Sequence, residues 1–91
     1  MVSNPQLQKF LDKNGKVKSW PAKPVMQRLV LDYLASRFVL GKIYNENEVN
    51  VILGDYHTFN DPALLRRELI MKDLLDRTPD GKKYWKKEET G

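Results

Sequence analysis

The stretch from Asn60 to Lys87, NDPALLRRELIMKDLLDRTPDGKKYWKK, leaves the chain few ways to fold. Asp61 carries a side-chain oxygen suited to capping a helix, Pro62 suits the first helical position, and Leu65 and Leu69 repeat at a four-residue spacing. The spacing predicts a short helix with a fixed start. Beyond it, Leu74 to Thr78 and Lys82 to Trp85 flank Pro79-Asp80-Gly81. There proline presets the turn and glycine can take the left-handed position of a three-residue hairpin loop. The stretch reads as helix, strand, tight turn, strand, with lysines on both sides of the pair Tyr84-Trp85.

Upstream, Met26, Leu29, Val30, Tyr33, Leu34 and Phe38 keep helical spacing from Val25 to Phe38, and Gln27, Arg28, Asp32 and Ser36 fall largely on the other face. Gly41 is expected to stop this helix. Lys42-Ile43-Tyr44 is long enough only for a small strand, expected to pair with the hairpin. Asn45 and Glu48 stand at capping-box spacing, and Tyr44 and Val49 flank them where a hydrophobic staple would sit. Val49, Ile52, Leu53 and Tyr56 then form the buried stripe of a second helix, weakened near its end by Gly54-Asp55. Ahead of all this, Ser3-Asn4-Pro5-Gln6 predicts the start of a two-turn helix with Leu7, Phe10 and Leu11 on one side. Asn14-Gly15 turns the chain, and Lys16 to Trp20 alternates as a half-buried edge strand would, closed by Pro21 and Pro24.

Helix, short strand, helix, turn, helix, hairpin is the order of a winged helix-turn-helix, in which the last helix meets the DNA major groove and the hairpin, the wing, meets flanking phosphates. The expected fold is therefore α+β, mainly α: a single winged-helix-like domain over residues 1–91. Residues 1–24 form an N-terminal helix and strand extension, 25–87 the core, and 88–91 a tail expected to fray. Ninety-one residues allow one modest core, and 41% hydrophobic with 31% charged residues is a globular composition. No apolar run approaches the roughly 20 residues of a membrane helix. The absence of cysteine excludes a disulfide framework and thiolate metal sites, and with no charged-then-apolar leader at Met1 a cytoplasmic location is expected.

The formal charge is +4, distributed unevenly. Residues 1–28 hold six Lys/Arg against one Asp, 29–56 two against four, and 57–91 eight against seven. A basic excess favours polyanions, and a soluble surface accounts for it almost as well. Catalytic constellations are not apparent. His57 is the only histidine and sits in a turn, Glu46 and Glu48 suit a helix start, and the five glycines are isolated rather than gathered into a phosphate loop. No catalytic residue, metal, cofactor or small-molecule substrate is expected, so the chain does not read as an enzyme.

The nucleic-acid reading rests on Arg66, Arg67 and Lys72 in the last helix and on Arg77, Lys82, Lys83, Lys86 and Lys87 in and after the wing. Lysines beside Asp80-Gly81 can neutralise phosphates, and lysine on an exposed hairpin also blocks edge pairing. With Leu65 and Leu69 inward, steps of about 100° put Ala63, Leu64, Arg67 and Met71 on the opposite face. One arginine among apolar residues is a weak base reader and a fair protein-contact surface, so Leu64, Arg67 and Met71 also form the alternative: a protein-interaction or dimerisation patch. Arg66 falls nearer the core edge, where a pair with a carboxylate such as Glu48 or Asp73 is expected. Tyr84 and Trp85, adjacent on a strand, should face opposite sides. Like Trp20, they are read as core packing or as base-stacking groups.

The motifs FLDKNGKVKSWPAK, YNENEVN, DPALLRREL and LLDRTPDGKKYW together resemble the small bacterial family known as domain of unknown function 2087, which occurs alone or fused behind ArsR-type winged-helix regulators. The resemblance runs from about Phe10 to Trp85. Its most specific parts are Glu48-Val49-Asn50, Leu65-Arg66-Arg67-Glu68-Leu69 and Arg77-Thr78-Pro79-Asp80-Gly81 with Tyr84-Trp85. It implies a transcription-regulatory, DNA-binding role, with DNA as partner and a homodimer or a partner regulator as further expectations. It brings no catalytic residues. His57-Thr58-Phe59 lengthens the turn before Asp61 relative to the family pattern.

Overall fold

The computed structural model describes residues 5–88. Within them the elements follow as Pro5–Gln8 (α1), Pro24–Ala35 (α2), Ile43–Tyr44 (β1), Glu46–Asp55 (α3), Pro62–Met71 (α4), Leu75–Arg77 (β2) and Tyr84–Lys86 (β3). The fold is α+β and mainly helical, with one small antiparallel sheet in the order β1-β3-β2.

Local chemistry sets most of the boundaries. The Asn45 side chain accepts from the Glu48 amide at 2.7 Å while the Glu48 carboxylate accepts from the Asn45 amide at 2.9 Å, so α3 begins with the full capping box. Asp61 caps α4 by accepting from the Leu64 amide at 3.1 Å, and Pro62 occupies its first position. α4 ends where Asp73 turns left-handed, at φ +60. The Leu74 amide then reaches back to the Leu69 carbonyl at 2.9 Å and the Asp73 amide to that of Ile70 at 3.1 Å, the paired bonds of a Schellman stop. An aspartate bears the left-handed cost of about 1 kcal/mol there and puts its charge against the negative helix end. Asp73→Gly should therefore raise stability by roughly 0.5–1 kcal/mol in urea unfolding, the exposed Lys87 ion pair at 3.6 Å offsetting little of it.

The core lies between the helices and one face of the sheet. Leu31, Leu34, Leu53, Leu65, Leu69 and Leu75 are fully buried with Val17, Val30 and Val49, and Tyr44 and Tyr84 close it from the strands. Cross-strand pairing runs Ile43 to Trp85 and Tyr44 to Tyr84 on one side of β3, and Asp76 to Trp85 and Arg77 to Tyr84 on the other. Tyr84 therefore points inward and Trp85 outward, as their adjacency requires. Phe38 meets Tyr44 edge-on at 5.2 Å, and the Tyr44 hydroxyl accepts from the Val39 amide at 2.8 Å, fastening β1 to the exit of α2.

Several expectations are corrected. Lys16 to Trp20 is not a strand. Val17 alone pairs, with Leu11 on one side and His57 on the other, because the chain bends towards Pro21 once Val17 is buried. α1 is one turn rather than two, and its expected caps Ser3 and Asn4, like the tail residues 89–91, lie outside the described residues. α2 ends at Ala35, not Phe38. Its buried face centres on Val30, Leu31, Leu34 and Ala35, so Met26, Leu29 and Tyr33 sit at the border. Gly41, at φ +87, serves the turn into β1 rather than the helix stop. The hairpin loop is longer than three residues: the Thr78 amide donates to the Lys83 carbonyl, leaving Pro79 to Lys82 between them.

Candidate nucleic-acid interface

α3 and α4 are joined by a turn that one imidazole holds in place. His57 is 5% exposed. Its Nε2 accepts from the Asp61 amide at 2.8 Å, which requires the proton to sit on Nδ1, and Nδ1–H donates to the Leu53 carbonyl at 2.5 Å. The ring so links the last turn of α3 to the cap of α4 and packs edge-on against Phe59 at 4.7 Å. Both ring nitrogens are engaged by backbone, which is the work of a positioning group. Sequence reasoning saw a lone histidine in a turn and missed this. Its spacing of four residues from both Leu53 and Asp61 was the available signal.

The turn aims α4 so that Ala63, Arg67 and Met71 form its exposed stripe, Met71 at 63% exposure. Leu64 is half-buried and does not line the groove beside that stripe, so Leu64, Arg67 and Met71 are not one open patch. The groove, about 650 Å³, runs between α4 and the β2-β3 hairpin and is lined by Glu46 of α3, by Ala63, Arg66, Arg67, Ile70 and Met71 on one wall and by Arg77, Pro79, Asp80, Gly81 and Tyr84 on the other. Three arginines thus share it. Arg66 donates to Asn50 and pairs with Glu46 at 3.5 Å, so its partners lie on α3 but are not the Glu48 or Asp73 expected from sequence. Arg77 folds under the wing turn towards the Thr78 and Pro79 carbonyls at 3.3 and 3.5 Å. Arg67 has no hydrogen bond or ion pair among the described residues.

The wing tip is ordered by its own polar groups. The Lys83 amide donates to the Thr78 hydroxyl, that hydroxyl donates to Asp80 at 2.6 Å, and the Lys82 amide donates to the same carboxylate at 3.0 Å. Gly81 takes φ +73, a conformation that any side chain would resist. Lys82 and Lys83 are left exposed, and neither ammonium has an ion pair among the described residues. The Thr78 hydroxyl, and after it the Lys82 amide, hold the Asp80 carboxyl below its ordinary 3.8. A depressed folded value means the ordering is complete above the ordinary value and is lost as pH falls through the lower one. Amide resonances of Gly81 and Lys82 should therefore shift together on acidification below the ordinary carboxylate value of 3.8, and Thr78→Val should move that transition upward.

The structure divides the remaining basic residues. Lys86 pairs across from Leu75, at the end of the hairpin away from the tip, and with Lys87 it lies beside Arg28 and Asp32 of α2. Lys87 is paired with Asp73. Lys72 is the half-buried C-cap of α4. Arg66, Arg67 and Arg77 line the groove, Lys82 and Lys83 follow its lining residue Gly81 on the exposed hairpin tip, and Lys86 and Lys87 lie beside α2 instead. That outer face of the sheet carries a second groove of about 480 Å³ over Leu40, Ile43 and Trp85, with Leu40 and Ile43 each 54% exposed. Among the described residues no group of His, Cys, Asp or Glu is gathered to hold a metal ion, and no helix is long and apolar enough to cross a membrane.

Comparison with known proteins gives one match. A family model described as an uncharacterized protein conserved in bacteria (DUF2087) matches residues 16–86. No curated protein and no solved structure matches.

Proposed function

The chain belongs to the bacterial family domain of unknown function 2087, and from its geometry we propose that it is a winged-helix domain that binds duplex DNA in transcription regulation. The observation that carries the reading is an uncommitted Arg67 on the exposed stripe of α4, across the groove from a hairpin whose tip bears the exposed, unpaired Lys82 and Lys83. The order α2-β1-α3-α4-β2-β3 and the sheet order β1-β3-β2 support it, since this is how a winged helix offers a helix and a hairpin on one side. In this reading α4 lies in the major groove, and the wing tip neutralises phosphates alongside it. The N-terminal surplus of lysine adds a field that draws the duplex in.

The test is fluorescence anisotropy with a generic duplex at several salt concentrations. About three phosphate contacts give a slope of log K against log salt of roughly −3. Absence of binding at low salt would overturn the proposal. The protein-contact alternative would then move from Leu64, Arg67 and Met71 to the groove of Leu40, Ile43 and Trp85, where Leu40 and Ile43 are exposed beside Lys86 and Lys87.

A further inference from the structure

Arg66 is held by Asn50 and Glu46 and Arg77 leans on two carbonyls of its own turn, whereas the Arg67 side chain has no hydrogen bond or ion pair among the described residues. Its neighbours along the exposed stripe, Ala63 and Met71, stand one turn before and one turn after it and carry no hydrogen-bonding side chain. Resting on the DNA-binding reading above, we infer that Arg67 reads the major-groove edge of a single guanine and that Ala63 and Met71 lie against thymine methyls to either side.

The chemistry of the stripe selects those groups. A guanidinium presents two parallel donors, and guanine is the base whose major-groove edge offers two adjacent acceptors, O6 and N7. An alanine methyl and a thioether chain have no such complement among donors and acceptors. They match the one apolar group in the groove, the C5-methyl of thymine. The spacing follows from geometry. Four helical residues rise about 6 Å, and base pairs stack about 3.4 Å apart, so the methyls lie roughly two base pairs from the guanine on each side. A helix with one bidentate reader specifies a short, permissive site, and a second guanine contact is not to be expected from Arg66 while Asn50 and Glu46 hold it.

Arg67 is exposed and makes no contact whose loss would unfold the chain, so Arg67→Ala is a clean variant, checked by circular dichroism. Wild type and variant are used to enrich a randomised duplex pool, and the enriched duplex is remade with 7-deazaguanine for guanine and with uracil for thymine. Wild type should enrich a guanine flanked by A·T pairs about two positions away. Arg67→Ala should lose about 5- to 150-fold of the guanine discrimination while still binding in a salt-dependent way, and 7-deazaguanine should weaken wild type but not the variant. Salt-dependent binding with no base preference, or with the same preference in Arg67→Ala, would overturn this inference and leave the DNA-binding reading standing. No binding to any duplex at low salt would overturn both.

Discussion

His57→Ala is expected to destabilise the fold by about 3–5 kcal/mol, a large share of what a domain this size holds. The ring is buried, and its removal opens an aromatic-sized cavity against Phe59. It also strips the partner from the Leu53 carbonyl and from the Asp61 amide, two backbone groups whose desolvation costs about 1–3 kcal/mol each when unmet. His57→Phe separates these effects. It refills the volume but makes neither hydrogen bond, and should cost about 2 kcal/mol. Urea unfolding with an unchanged m-value is the measurement. A Phe variant as stable as wild type would show that the ring acts by volume alone. Because the two bonds join the end of α3 to the cap of α4, the Phe variant should also bind DNA less well than its stability predicts, the angle of α4 being less well fixed.

On the proposed DNA-binding reading, Lys82→Ala with Lys83→Ala is expected to reduce the salt slope by about two units, from roughly −3 to roughly −1, and to weaken binding about 100-fold at ~50 mM salt. Both lysines sit on the exposed turn that Thr78 and Asp80 order, and neither supports the core, so stability should be unchanged. Lys86→Ala with Lys87→Ala is the control that the structure supplies. Those side chains lie by Arg28 and Asp32 at the other end of the hairpin, and their loss should leave the slope within about half a unit of wild type. Equal effects from the two pairs would mean that charge alone draws the DNA in and that the wing has no special place.

The parts of the fold legible in the sequence were those set within one turn of chain. Asn45 with Glu48 and Asp61 with Pro62 each fix a helix start within a few residues, and the structure has both, while Pro79-Asp80-Gly81 marked the turn but not its length, which Lys82 extends. The short strand at Ile43-Tyr44 and its pairing with the hairpin were legible too, because only so small an element fits between two caps. Lys16 to Trp20 misled. Alternation promises a strand only where a partner runs alongside for several residues, and here Leu11 and His57 each offer one.

The candidate site was legible only in its residue types. The α4 stripe followed from the positions of Leu65 and Leu69, yet helical geometry placed Leu64 as openly as Arg67, and its half-burial comes from packing that no periodicity contains. A count of lysines could not divide the hairpin tip from the face beside α2, since Lys83 and Lys86 are only three residues apart and flank the pair Tyr84-Trp85.

By itself, then, the sequence determined where α3 and α4 start, where the hairpin turns and which residues of α3 and α4 face inward. These rest on hydrogen bonds and spacings that close within about four residues. Only the tertiary structure decided that α2 turns Leu31 and Ala35 to the core, that His57 ties α3 to α4, and that Arg66 is held by Asn50 and Glu46 while Arg67 is left free. Those outcomes depend on which distant segments pack together, and a side chain's freedom is set by the acceptors that packing brings within its reach.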